Sequence, residues 1–558
     1  MAQITIYSAR KIHTMNPTNP EATHIAVRDG MILGCGPLAE LTGWGPHELD
    51  DRFREHVIVP GFVEAHAHAF AGVGALLPYV GYFDRAQPDG SVAPGVKSYG
   101  ELQQRLRALD AAMEDPAEPL VARGFDPIYF AGTEPRLTRH HLDEVSRTRP
   151  IFLHHASGHL ATVNTAMLEL DGVSNDVTVE GVGRDAEGNL DGELREPPAM
   201  ALCRTGYRAS MRANQAPQTL WGFAANARNE GITTCTDLGG PLLMQPKTEE
   251  RWQEATGHPD YPLRVAMYNI PAMGGSAKDF EDAAEAFMQL RERAHDRLRF
   301  PGVKFVLDGS IQGWSALINP PGYFTGEDHG QLLTVPDQFL DWFLPFHRRG
   351  INVHMHCNGT ATQDLAIDTV ERALRASSWL DHRHTITHAQ LSTQAQLRRM
   401  AAMRIAANFF TNHLWFWGDQ HYEQTVGPER AHGLEPCGSA LREGVRFSMH
   451  SDAGVTPLGH LHTMWCAVNR VTPSGRVLGE SEKISAAAAL RAVTIDAAWM
   501  MHMDDEIGSL EAGKAADFAV LEEDPLAVDP MKIRDIGIWG TVLGGRPRPA
   551  GDSLPVAV

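Results

Sequence analysis

A chain of 558 residues with 43% apolar and 21% charged residues reads as a globular protein, long enough for a large barrel with additions and in no need of disulfide staples. Its formal charge of −20 at pH 7 argues against nucleic acid and anionic membrane surfaces as partners, because polyanions would be repelled. Six scattered cysteines form no C-x-x-C pair, the N-terminal stretch lacks the apolar core of a signal peptide, and no apolar run is long enough for a bilayer. A cytoplasmic protein without a membrane partner is expected.

The N-terminal stretches ITIYSARKIHTM and HIAVRDGMILGCG alternate like short strands, the second turning at Asp29-Gly30, a hairpin dipeptide. The C-terminal stretches DFAVLEEDP and DIGIWGTVLGGRP have the same character. Neither end can make a sound sheet alone, so residues 1–56 and 506–558 are expected to pair into one small β-sandwich. Across 57–505, strand-like runs alternate with helical ones. The strands are VIVPGFVEAHAH, GITTCTDLG, PLRVAMYNI, GVKFVLDGS, INVHMHCNG, RHTITHAQ, RIAANFFTN and RFSMHSDAG; FEDAAEAFMQLRERA, ATQDLAIDTVERALRA and STQAQLRRMAAM are among the helices. Eight strand–helix repeats predict an α/β fold, a (β/α)₈ TIM-like barrel with its site at the C-terminal ends of the strands. The interval 71–219 breaks this rhythm and carries its own elements, SYGELQQRLRALDAAM and PIFLHHASGHLATVN. It is read as a subdomain inserted after the first barrel strand and covering the active-site mouth.

In VIVPGFVEAHAHAF, strand alternation turns His66 and His68 to the same face. Lys304 on strand four, His356 on strand five, His388 on strand six and Asp452 on strand eight also lie late in their apolar runs. Singly, each has an ordinary explanation: a hydrogen-bonded core histidine, a lysine reaching solvent, an aspartate capping a turn. Together they converge on one barrel mouth, and four buried histidines without a metal would leave ring nitrogens unsatisfied.

These residues lie in the motifs VPGFVEAHAH, GITTCTDLG, GVKFVLDGS, VHMHCNG, ITHAQ, SMHSDAGVTP and IGSLEAGKAADFAVLEEDP. With them, nearly end to end, the chain resembles the amidohydrolase superfamily, and within it amidohydrolase family 3, the branch holding N-substituted formamide deformylases. The resemblance implies a β-sandwich beside a distorted barrel and two divalent metal ions. His66, His68 and Asp452 would surround one ion, and His356 and His388 the second. Lys304 would bridge them, carboxylated on its side-chain nitrogen. Neutral imidazoles and oxygen anions suit zinc. Asp452 is the expected catalytic proton shuttle, taking a proton from the attacking water and passing it to the departing nitrogen. Within VHMHC, aligning Gly359 with the family's glycine makes His356 the ligand and leaves His354 structural. HHASGHLATVN resembles a family stretch that faces substrate, which selects His159 over His155.

Three positions depart from the family's pattern: Thr360 stands where an acidic residue is usual, Trp314 where an arginine is, and His450-Ser451-Asp452 replaces Gly-Ser-Asp. After strand seven, FFTNHLWFWGDQHY concentrates aromatic residues. His159, Trp314, His413 and Trp415 are the expected substrate-binding residues, and the aromatics point to an apolar or aromatic group; packing beneath the insertion is the competing explanation. The expected activity is hydrolysis of a non-peptide C–N bond (amide, formamide or carbamate-like) of a small molecule by a homo-oligomer, a dimer first. A deaminase of the same superfamily would carry His-x-x-Glu after strand five, but His356-Cys357-Asn358-Gly359 has no glutamate. A non-catalytic descendant would have lost ligands, and none is lost. A metal-dependent lyase or decarboxylase is the remaining alternative.

Overall fold

The computed structural model describes residues 3–69, 77–86, 92–130, 135–213, 217–240, 243–272, 274–326 and 330–553. Its centre is a sheet of eight parallel strands: β1 (Phe62–Ala67), β2 (Ile232–Gly240), β3 (Arg264–Asn269), β4 (Leu298–Val306), β5 (Asn352–Cys357), β6 (Thr385–His388), β7 (Ala406–Phe409) and β8 (Phe447–Met449). They pair in sequence order from β1 to β8. The strands β1, β3, β5, β6, β7 and β8 are buried at every position, as parallel strands packed on both faces must be. The ring closes where β8 runs out. The Asp452 N–H donates to the His66 carbonyl at 3.1 Å and the His68 N–H to the Ala453 carbonyl at 3.0 Å, while Asn408 Nδ2 donates to the Ala65 carbonyl at 3.1 Å. Residues expected to act together therefore sit on the closing seam.

Helices sheathe the strands, and their ends are written locally. Ser276 and Asp279 form a capping box before Ala277–Arg291, and Thr393 and Gln396 another before Gln394–Met403. Ala277–Arg291 buries Phe280, Ala284, Phe287 and Leu290, a helical stripe, and Phe280 stacks on Trp342 at 5.0 Å. Full burial of each large side chain in such a stripe contributes about 1.5–3 kcal/mol.

Both ends of the chain meet in a second sheet, ordered Arg546–Pro549, Ile538–Leu543, Phe518–Leu521, Val57–Pro60, Ile4–His13, Glu21–Arg28 and Met31–Gly36; His47–Asp50 also pairs with Ile4–His13. Asp29 and Gly30 both have positive φ (53° and 77°), as a two-residue hairpin of the mirror-image turn type requires. One expectation needs correcting. Val57–Pro60 does not begin the barrel: it pairs with Ile4–His13 and Phe518–Leu521, and the chain crosses to β1 at Gly61. The apolar pattern is the same on both sides of that crossing, so periodicity does not separate them.

The insertion after β1 builds its own five-stranded sheet, ordered Val182–Arg184, Leu190–Arg195, Leu160–Val163, Ile151–His155 and Leu120–Phe125. It docks on the barrel mouth: Tyr129 Oη donates to the Phe416 carbonyl at 2.7 Å, and Trp417 Nε1 to Asp126 Oδ2 at 2.8 Å. Helix Pro217–Asn229, whose first residues fall inside the expected 71–219 interval, packs Leu220, Phe223 and Ala224 into the barrel core. Among the described residues no helix is long and apolar enough to cross a membrane, and all six cysteines are free thiols.

Candidate metal centre

Strand alternation carries His66 into the barrel mouth, with His68 just past the end of β1. Asp452 stands in the turn after β8 with φ 51°, a left-handed backbone that aims its carboxylate back across the seam. Asp452 Oδ1 lies 3.2 Å from His66 Nε2 and 3.1 Å from His68 Nε2. Despite that closeness, Oδ1 meets no hydrogen-bond geometry. Gly239 makes room for the His68 ring, because a Cβ there would collide with Nδ1.

A second pair faces them. His388 Nε2 lies 3.0 Å from His356 Nδ1, and His388 Nδ1 lies 3.9 Å from Asp452 Oδ2. The other nitrogen of His356 lies 3.2 Å from the Gly309 carbonyl, which also accepts from Asn358 Nδ2 at 2.8 Å. His354 points deeper, its ring against Tyr268 and Nδ1 3.3 Å from Thr387 Oγ1. Lys304 is 2% exposed and lies on β4 beside β5, with His354 as its register partner.

Among the described residues two donor groups emerge, His66–His68–Asp452 and His388–His450–Asp452, the donor atoms of each lying within 4.8 Å of one another. Buried atoms left without a hydrogen-bond partner concentrate here: Nδ1 of His66, Nδ1 of His388, both nitrogens of His450 and Oδ1 of Asp452. Each such group costs about 1–3 kcal/mol if nothing else engages it. Burial lowers the His66 imidazolium to about 4 and holds His356, His388 and His450 well below their ordinary value. Burial would raise Asp452, but the rings of His66 and His68 beside it hold its carboxyl well below the usual range. Burial would lower His68 as well, but the Asp452 carboxylate raises it, so His68 is the ring on which a proton is favoured, a proton that a bound ion would displace. Imidazoles around an ionised carboxylate are the donors a divalent ion requires, so the residues present fit one.

Further residues belong to this site that the sequence reading passed over. Glu64, fully buried, accepts from the His66 N–H (3.1 Å), the Ser451 N–H (3.1 Å) and the Ser451 hydroxyl (2.5 Å), tying β1 to the chain after β8. Burial pushes its carboxyl up to about 7. Asp308, after β4, accepts from the N–H groups of Asn358, Gly359 and Leu317 and from Thr362 Oγ1, which fixes the turn holding His356. For Glu64 the signal was present, two residues before His66 on the same strand; Asp308 and His450 follow the ends of β4 and β8, where alternation no longer fixes a face.

The expected substrate-binding residues divide. His159 comes from the insertion to within 5.2 Å of the His356 ring, and its Nδ1 is 2.7 Å from Glu196 Oε2. Burial alone would lower its pKa, but the Glu196 carboxylate raises it above the ordinary value. Gly309 makes that pairing possible, since a Cβ there would strike Glu196 Oε1. Trp314, at φ 54°, lines a cavity of about 350 Å³ with Tyr99, Pro127, Leu160, Gln312 and Thr325, adjacent to His159 in the chain but not containing the imidazole cluster. His413 stands behind Phe410, whose ring lies 4.5 Å from it and 4.8 Å from His450; its Nδ1 pairs with Gln390 and His421. Trp415 does not reach the site. Its ring packs against Trp465 at 5.3 Å and under Arg534, on the side of helix His460–Asn469. Phe416 and Trp417 pack beneath the insertion, so most of the aromatic loop is packing, and among its described residues Phe410 is the aromatic that lies against His388 and His450. Glu196, Trp314, His388 and Asp452 all hold φ between 51° and 71°, and such strain persists where surrounding structure enforces it, often at functional sites.

The sequence pattern of the amidohydrolase family matches residues 54–549. Protein LONG AFTER FAR-RED 3 of Arabidopsis thaliana is 26% identical over 527 residues, covering 91% of this chain and 85% of that protein. The N-substituted formamide deformylase of Arthrobacter pascens is 25% identical, covering 98% of each. Among solved structures, a metal-dependent hydrolase from Pyrococcus horikoshii superposes with a TM-score of 0.70 at 19% identity, covering 95% of this chain and 99% of that one.

Proposed function

We propose, since this chain belongs to the amidohydrolase family and is a metal-dependent hydrolase, that the bond it cleaves is a C–N bond of amide, formamide or carbamate type in a small molecule. The observation that carries this reading is Asp452 Oδ1, set between two imidazole nitrogens without a hydrogen bond and facing a second histidine pair. His66, His68 and Asp452 would hold one divalent ion, and His356 and His388 a second, with Lys304 between. Two such ions, zinc by the donor chemistry, would supply a nucleophile ionised at neutral pH and polarise the scissile carbonyl.

The chain's own groups do the rest. Burial lowers the Lys304 ammonium to about 7, so a large fraction is free amine at neutral pH. Nζ can then attack carbon dioxide: the N–C bond forms, a proton leaves to solvent, and the carbamate anion joins the oxygen donors. Asp452 takes the proton of the attacking water on its carboxylate and returns it to the departing nitrogen, which leaves poorly as an anion. His159, oriented by Glu196 through Nδ1, keeps Nε2 for a substrate oxygen. The cavity lined by its chain neighbour Leu160 together with Tyr99, Pro127 and Trp314, and also by Asp126, Arg136 and His155, supports an apolar or aromatic flank with a polar edge on the substrate, and the name of the Arthrobacter relative supports the N-substituted formamide class. Six free thiols support a reducing, cytoplasmic setting.

A panel of N-benzyl, N-aryl and aliphatic formamides, amides and carbamates tests the reading. The N-benzyl and N-aryl compounds should show the highest kcat/KM, and Trp314→Ala should erase their advantage by roughly 10-fold or more, the scale of losing one well-packed aromatic contact. Preference for small charged amides, unaffected by Trp314→Ala, would overturn it.

A further inference from the structure

His450 directly follows the last barrel strand, Phe447–Met449, two residues before Asp452, and is fully buried. Its ring sits 5.0 Å from the rings of His66 and His388 and stacks on Phe410 at 4.8 Å. Neither ring nitrogen has a hydrogen-bond partner among the described residues. Other buried histidines of the barrel are engaged. His347 pairs with His384 and the Ser377 carbonyl, His382 with the Met403 carbonyl, and His413 with Gln390 and His421. Among the described residues His460 also leaves both nitrogens unbonded, but its ring lies against Phe62 and 3.8 Å from Glu64, apart from the donor cluster.

An imidazole stripped of water on both nitrogens costs more than the phenyl ring that would fill the same space, so a partner beyond the polar groups of the described residues is called for. The direction of that partner is given by geometry. One nitrogen of His450 lies within 4.8 Å of donor atoms on both His388 and Asp452. We propose that His450 is a ligand of the metal centre, donating one ring nitrogen to a divalent ion held with His388 and Asp452. The proposal rests on the metal-centre reading above and adds an imidazole to the ligand set implied by the family resemblance. It also gives the histidine before Ser451-Asp452, one of the departures noted in this sequence, a chemical role. A buried water bridging the two nitrogens would explain the same vacancy of partners without touching metal affinity.

Metal-stripped full-length protein is titrated with Co(II), following the visible d–d absorption, and with Zn(II) against a chromophoric chelator. The wild type and the variants His450→Phe and His450→Asn are compared, with thermal unfolding as the check on folding. The expected result is a Kd for the weaker site raised at least about 10-fold in both variants, with an altered Co(II) band. Folded variants with the wild-type Kd and band would overturn the proposal and leave His450 as packing or a water site. If the variants do not fold, hyperfine-shifted ring N–H signals of the wild-type Co(II) protein decide. A His450 signal beside those of His66, His68, His356 and His388 upholds it, and its absence overturns it. A wild type that binds no metal would fail the metal-centre reading itself, and this inference with it.

Discussion

Asp452→Asn is expected to leave the protein folded and to retain most of its metal, while turnover falls by on the order of 10²–10⁴-fold, the span of one acid–base group. The backbone permits the test. Asp452 adopts φ 51°, a left-handed conformation that asparagine tolerates better than most residues, and its N–H donates to the His66 carbonyl whatever the side chain. The amide keeps an oxygen to present between His66 Nε2 and His68 Nε2. It cannot accept a proton and hold it for the leaving nitrogen. Metal content, melting temperature and turnover are measured on one preparation. A folded, metal-replete variant with near-normal turnover would remove Asp452 from proton transfer, and loss of metal in step with turnover would make it a ligand alone.

Lys304→Ala should abolish turnover or lower it to a few per cent, because it removes the anion expected between two cations. A short carboxylic acid should restore part of it. The pH dependence of stability offers a second, independent readout in metal-free protein. The folded-state pKa of Lys304 is lowered from 10.5 to about 7 by burial. Between those values the unfolded chain binds a proton that the folded chain lacks, so this residue makes stability rise with pH through the window; below pH 7 its full cost is present. Urea unfolding of wild type and variant at several pH values should therefore show their difference growing more favourable to the wild type from pH 7 to 10. The cavity left by alanine costs a constant amount and does not mimic that slope. A flat difference together with unchanged turnover would remove Lys304 from the site.

Much of this site could be read from the chain because barrel strands obey alternation. Histidines two apart at the end of β1 must share a face, and strand-end positions on β4, β5 and β6 must converge. The same rule reaches Glu64, two residues before His66 on β1, whereas His450 and Asp452 both follow the end of β8. Alternation says nothing about direction once the strand ends. Trp415 lies on a single helical turn, His413–Phe416, whose orientation is set by Trp465 and Arg534 from distant parts of the chain. The His159–Glu196 pairing joins residues 37 apart within the insertion and depends on the glycine at 309 on the barrel side. Val57–Pro60 was drawn into the wrong sheet because two consecutive buried strands, separated by one glycine, share one apolar pattern.

On the proposed function, these imidazoles, Asp452 and Lys304 exist to hold metal. Elemental analysis of protein purified without chelator or affinity metal, alongside a His66→Ala/His388→Ala double variant checked for folding, tests it most directly. About two zinc-class ions per wild-type chain and a loss of both in the variant are expected. Fewer than about half an ion per wild-type chain, or equal metal in a folded double variant, would contradict it.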